Sequence, residues 1–175
     1  MNLVGVLALQ GDWRTHGEAL DAARIPWKPV RVARDLEACR GLVIPGGEST
    51  TLLRLLEPTL TSTIERFIET GQPVLATCAG LIIAARDVSP VQRSFGWINI
   101  GVRRNGWGRH LDSFVDRNRA FIRAPRIVDA AGVEVLDTVR GEPALVRQGA
   151  VLGATFHPEL TQDVSVYQLA FGAFL

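Results

Sequence analysis

The spacing of apolar positions divides the chain near Pro90. Up to that point, short runs rich in Val, Ile and Leu alternate with stretches of helical period. The runs Leu3 to Leu9, Pro29 to Val32, Gly41 to Ile44 and Pro73 to Thr77 predict strands, because each is short, rich in branched residues and bounded by turn formers. Between or after them, Arg14 to Ala23, Thr50 to Glu57, Ser62 to Thr70 and Ala79 to Arg86 repeat their apolar residues at helical intervals. Such alternation predicts an α/β fold with a mostly parallel central sheet and helices on both faces.

Beyond Pro90 the runs are closer together: Trp97 to Arg103, Leu111 to Val115, Ala120 to Arg123, Val133 to Leu136, Ala144 to Arg147 and Ala150 to Phe156. Strands this close cannot all be joined by helical crossovers, so antiparallel additions are expected in the C-terminal half. A last helix is expected from Val164 to Phe174. No repeat, low-complexity tract or linker interrupts the pattern, and the 175 residues are read as one domain spanning 1 to 175.

Composition narrows the function classes. With 47% hydrophobic and 21% charged residues and a net charge of +1, the chain has no field to draw it to nucleic acid or an anionic membrane. The apolar start lacks a basic flank, and no run reaches the roughly 18 apolar residues of a membrane span, so a cytoplasmic protein is expected. Two cysteines, Cys39 and Cys78, make no disulfide framework, and three scattered histidines make no metal cluster.

Sites in open parallel sheets form past the carboxyl ends of the strands, and three such places stand out. In "VLATCAGLII", Cys78 lies where a strand gives way to a helix, with Ala76 and Gly80 two residues to either side. That is the small-x-nucleophile-x-small spacing of a tight elbow, and a thiol at a helix N-terminus is activated by the dipole. Alternatively the cysteine fills a core gap, the reading adopted for Cys39. In "LVIPGGESTTLL", Gly46 and Gly47 leave their N–H groups unobstructed and Ser49 occupies an expected N-cap. The turn suits an oxyanion, or is ordinary punctuation; it lacks the spacing and lysine of a phosphate loop. In "TFHPELTQD", His157 and Glu159 lie two apart. In an extended segment both point the same way, so the carboxylate can orient the imidazole as a base; a surface histidine is the plainer reading. His16 and His110 have no such neighbour and are read as structural or peripheral.

Together these are the parts of a cysteine-dependent acyl transfer. With "GVLALQGD", "GLVIPGGESTT", "TCAGLI", "RRNGWGRHLDSF", "FIRAP" and "FHPELTQD" in this order along nearly the whole chain, the sequence resembles the class I, triad-type glutamine amidotransferases, most closely the glutaminases of pyridoxal 5'-phosphate synthesis. The resemblance implies that Cys78 attacks the side-chain amide of glutamine, that His157 carries the proton and that Glu159 orients His157. It further implies an oxyanion hole from the N–H groups of Gly47 and Ala79, and a glutamine pocket lined by Gly47, Glu48, Ser49, Arg104, Ile122 and Arg123. It implies no bound cofactor, and a synthase partner of (β/α)8 barrel fold gathered in twelve copies of each subunit. The only lysine, Lys28, is far in sequence from every site segment, so Schiff-base chemistry on the ammonia would fall to that partner. Departures are the six residues between "DSF" and "FIRAP", "RH" at 109 to 110, and "QGDW" in place of the more usual "QGA". A glutaminase serving another pathway, such as histidine biosynthesis, and a cysteine redox module are the alternatives. "FIRAP" and "RRNGWGR" speak against the first, and the second leaves His157 and Glu159 without a purpose.

Overall fold

The computed structural model describes residues 2–107, 113–161 and 163–174. The first half runs β1 (Leu3–Leu7), α1 (Trp13–Ala22), β2 (Trp27–Val30), α2 (Ala33–Glu37), β3 (Cys39–Ile44), α3 (Ser49–Leu55), α4 (Pro58–Glu69), β4 (Val74–Thr77) and α5 (Ala79–Ala84). There follow β5 (Ala85–Ser89), β6 (Ile98–Arg103), β7 (Phe114–Asp116), β8 (Arg119–Phe121), β9 (Arg126–Asp129), β10 (Glu134–Val139), β11 (Glu142–Gln148), β12 (Val151–Ala154) and α6 (Ser165–Phe171).

Seven strands form the central sheet in the order β10-β11-β12-β4-β3-β1-β2. From β2 to β12 every neighbouring pair is parallel, while β11 and β10 complete an antiparallel edge. Strands β4 and β12 are buried at all four positions, as expected where helices cover both faces. Alternate residues feed two cores. Leu42 and Ile44 of β3 join Leu52, Ile64, Leu81 and Ile83 from α3, α4 and α5 on one face. Val43 and Leu75 join Leu20 of α1 and Tyr167 and Phe171 of α6 on the other. Helix α1 packs so closely that a Cβ on Gly17 would lie 2.2 Å from the Trp27 ring.

The structure departs from the expected elements at several places. The helix expected to run to Arg86 stops at Ala84, and β5 pairs with β6, which in turn pairs with β9, in a separate small sheet. There Arg86 bonds Asp87, Asn99 and Asp129, contacts from other parts of the chain that a local helical period does not reveal. Helix α4 begins at Pro58, four residues earlier than expected, because proline is well placed in a first turn. Helix α2 is unforeseen; the Asp35 carboxylate accepts from the N–H groups of Arg31 and Val32 and starts it. Strand β9 is also unforeseen. The run expected from Leu111 falls partly outside the described residues, as do Arg109 and His110, and its described part is β7. Among the described residues no helix is long and apolar enough to cross a membrane.

Candidate active site

Three adjacent strands, β12, β4 and β3, end at the same edge of the sheet and deliver the three expected segments together. Cys78 follows β4 directly, 4% exposed, with φ +46° and ψ −104°, a conformation that a non-glycine residue adopts only when its surroundings hold it there. Those surroundings are visible. The Cys78 N–H donates to Ala154 O at 3.0 Å, and its carbonyl accepts from Ile82 at 3.1 Å. The small residue two positions on is obligatory: a Cβ on Gly80 would stand 2.1 Å from the carbonyl oxygen of Ile44.

On the β12 side, His157 and Glu159 are both 5% exposed. His157 bridges to Ala120 as a lone β pair, and residues Pro158–Leu160 turn as a single 3-10 turn. The extended geometry expected for the His-x-Glu pair is therefore absent at Glu159; the tight turn brings the carboxylate back under the imidazole. His157 Nδ1 lies 2.7 Å from Glu159 Oε1, and Nε2 lies 3.2 Å from the carbonyl of Ile122. Burial works to lower the His157 pKa, but hydrogen bonding to Cys78 and to Glu159 raises it to about 11, which favours the imidazolium. Burial also works to raise Glu159, yet the imidazoles of His16 and His157 keep it below the usual carboxylate range.

On the β3 side, Gly46 and Gly47 make the turn. A Cβ on Gly46 would sit 2.8 Å from His157 Cε1 and 3.4 Å from Cys78 Cβ, so only glycine lets the turn approach the thiol. Gly47 has φ +125°, open to glycine alone. Ser49 is not the N-cap, a position held by Glu48; its buried hydroxyl donates instead to Gln92 Oε1 at 3.0 Å.

A small cleft opens over Cys78, lined by Gly47, Glu48 and Ser49, by Arg104 and Arg123, and by Ile82 and Asn105. Glu48 takes both arginines: Arg104 Nη2 lies 3.6 Å from Oε1 and Arg123 Nη2 lies 3.4 Å from Oε2. Ile122 meets the site through its carbonyl at His157, and Ala79 opens α5 next to the thiol. Every expected site residue thus falls in or beside one cleft. Cys39 does not; its thiol lies 3.4 Å from Asp35 O, and burial pushes its pKa up, which fits packing.

Sequence reasoning passed over four residues. Ile82 and Asn105 line the cleft, and both lie inside segments quoted above, "TCAGLI" and "RRNGWGRHLDSF", the one signal that pointed to them. Gln10 clamps the glycine turn, its Nε2 donating to Gly46 O at 3.2 Å and its Oε1 accepting from the Glu48 N–H at 2.9 Å. His16, read as structural or peripheral, stands behind Glu159 at 3.3 Å. Only the fold brings positions 10 and 16 to residues 36 and 143 places further on.

A cysteine on a strained elbow, an imidazole held by a carboxylate and a bare glycine turn, all at the carboxyl edge of a parallel sheet, make an α/β site chemically suited to acyl transfer to a thiol. The chain belongs to the SNO glutamine amidotransferase family, whose pattern matches residues 6–174. Curated relatives described as pyridoxal 5'-phosphate synthase subunit PdxT include those of Koribacter versatilis, 44% identical with 95% of this chain and 92% of the relative covered, and Solibacter usitatus, 44% identical with 97% of each covered. That of Thermosipho africanus is 42% identical over 94% of this chain and 95% of its own. A crystal structure described as a glutamine amidotransferase superposes with a TM-score of 0.88 at 40% identity, covering 97% of both chains. The structure of PurLQS from Thermotoga maritima, at 18% identity and a TM-score of 0.71 over 99% of each chain, shares the fold.

Proposed function

We propose that the chain is the glutaminase subunit of a pyridoxal 5'-phosphate synthase, acting as one domain in the cytoplasm. The observation that carries the reading is the 2.7 Å contact of His157 Nδ1 with Glu159 Oε1 beside the elbow cysteine; family membership and the PdxT relatives support the substrate. The Cys78 thiolate attacks the side-chain carbonyl carbon of glutamine. The oxygen of the resulting tetrahedral intermediate is received by the N–H groups of Gly47 and Ala79. His157 gives its proton to the departing nitrogen, ammonia leaves, and a γ-glutamyl thioester remains on Cys78. Water, deprotonated by His157, then attacks the thioester carbon and frees glutamate. Glu159 holds the imidazole throughout.

Glutamine carries an α-ammonium and an α-carboxylate, and the cleft offers a match for each. Glu48 suits the ammonium; Arg104 and Arg123 suit the carboxylate, since guanidinium groups grip such an anion in two places. The two arginines lie against Glu48. The Ser49 and Ile122 segments complete the pocket. Ammonia passes to a synthase partner of (β/α)8 barrel fold, in an assembly with twelve copies of each subunit. The test is glutamate and ammonia release from glutamine by the purified chain, with and without a candidate pyridoxal 5'-phosphate synthase partner subunit. Absence of release in both conditions, with the chain folded, would refute the reading.

A further inference from the structure

The mechanism leaves a buried histidine unused. His16 lies on α1, 0% exposed, directly behind the carboxylate that orients His157. Its Nδ1 is 2.8 Å from the Tyr167 hydroxyl of α6. Its Nε2 is 3.2 Å from Thr77 Oγ1 and 3.3 Å from Glu159 Oε2. We infer that His16 is a positioning residue for the base: a neutral imidazole whose Nε2–H steadies the second oxygen of Glu159, extending the proposed triad into the chain Tyr167, His16, Glu159, His157. This rests on the reading of Cys78, His157 and Glu159 as the triad.

The tautomer follows from the neighbours. Tyr167 is buried, its pKa driven up by that burial and by Glu159, so its hydroxyl keeps its proton and can donate to Nδ1. The proton of a neutral imidazole is then on Nε2, where it faces Thr77 Oγ1 and the carboxylate together. The opposite tautomer would aim a bare lone pair at a buried anionic oxygen. Glu159 Oε2 has no well-aligned hydrogen bond among the described residues, so an N–H at 3.3 Å is the favourable group facing it. Oε1 is taken by His157.

Neutrality matters as much as direction. The charged or titratable groups around His16 are Glu159, His157, Asp12 and Tyr167. Burial is the largest influence and lowers its pKa; Glu159 and Asp12 act to raise it and His157 to lower it, and burial wins. A second imidazolium here would divide the attraction of Glu159 between two cations. A neutral donor satisfies the spare oxygen and leaves the whole charge for His157. Helix α1 is closely packed at this point, because the next residue, Gly17, has the Trp27 ring where its side chain would be.

The experiment uses the full chain labelled with ¹⁵N-histidine, in which only three imidazoles occur. His16 is expected to stay neutral and protonated on Nε2 as the pH falls through 6.5, where a free histidine titrates. An Nδ1–H tautomer, or titration near 6.5, the ordinary value, would overturn the inference without any variant having to fold. The second arm follows alkylation of Cys78 by iodoacetamide against pH. His16→Leu should move the acid limb of the rate upward by about half to one pH unit, slowing alkylation roughly three- to tenfold on that limb. His16→Gln, whose side-chain amide can replace Nε2–H, should restore it. Coincident profiles for the native chain and His16→Leu, or equal displacement in Leu and Gln, would also overturn it. Neither arm reads hydrolysis, so failure of the triad itself is recognised separately, by a Cys78→Ser chain that still hydrolyses glutamine.

Discussion

Cys78 occupies a backbone conformation costing on the order of 1–3 kcal/mol, and the chain tolerates it because β4, β12 and α5 fix the peptides around it. Exchange of Cys78 for Ser keeps this geometry and removes the polarizable thiolate. Glutaminase activity should fall by several orders of magnitude with the melting temperature little changed; a residual above about a tenth, only about 1.4 kcal/mol of barrier, would refute the nucleophile assignment. Arg104 tests substrate grip apart from chemistry. Its replacement by Ala should raise KM strongly while leaving Cys78 equally reactive to a small alkylator, and loss of both would mean that Arg104 supports the fold. Acid stability is a third test. The folded pKa of His16 lies below 6.5, so as pH drops through that value the unfolded chain takes up a proton that the native chain refuses, and stability falls. His157 has the opposite sign: raised to about 11, its contribution is fully present below 6.5 and is lost only as pH rises through 11. Between about pH 7 and about pH 5 the melting temperature of the native chain should therefore decline more steeply than that of His16→Gln. Parallel curves would contradict the assignment of a neutral buried His16.

At the scale of elements, the site depends on two turns whose glycines are dictated by contact. A methyl group on Gly80 would press on the backbone of Ile44, which cannot yield as a side chain can. Gly80→Ala should cost about 1–3 kcal/mol or more in stability, read from denaturant unfolding; an unchanged midpoint would show that the elbow is looser than described. Such turns are also where the sequence was most legible. The proposed nucleophile, the proposed base and the glycine turn each follow a short apolar run, and the rule that sites form past parallel strands singled out the three segments that the fold brings together. The segment from Ala85 to Asp129 was less legible, because β5 and β9 are short edge strands held by Arg86 and its distant partners. The Glu159 geometry was inferred from an extended segment and is achieved by a 3-10 turn, since Pro158 favours a first helical position over a strand interior. His16 and Gln10 carry no local pattern at all.

Across the whole molecule, the Gln10–Gly11 segment lies directly on the glycine turn: a Cβ on Gly11 would stand 2.0 Å from Gly46 O. A partner docking near residues 8–12 would press on the oxyanion turn through this contact. Turnover should accordingly be low for the chain alone and rise with its synthase, on the order of 100- to 1000-fold if one preorganised donor is added. Gly47→Val should abolish the rise, because its side chain would begin 2.3 Å from Gln10 Oε1; full activity without partner would show a preassembled site. The strand order carries a consequence for biosynthesis. Cys78 leaves the ribosome well before His157, and β12 must insert between β4 and β11 before nucleophile and base meet. The nascent thiol is thus an ordinary cysteine, protected from premature chemistry by the absence of its own activator. Pulsed alkylation during refolding should find glutamine-like electrophiles ineffective until the β4–β12 ladder has closed.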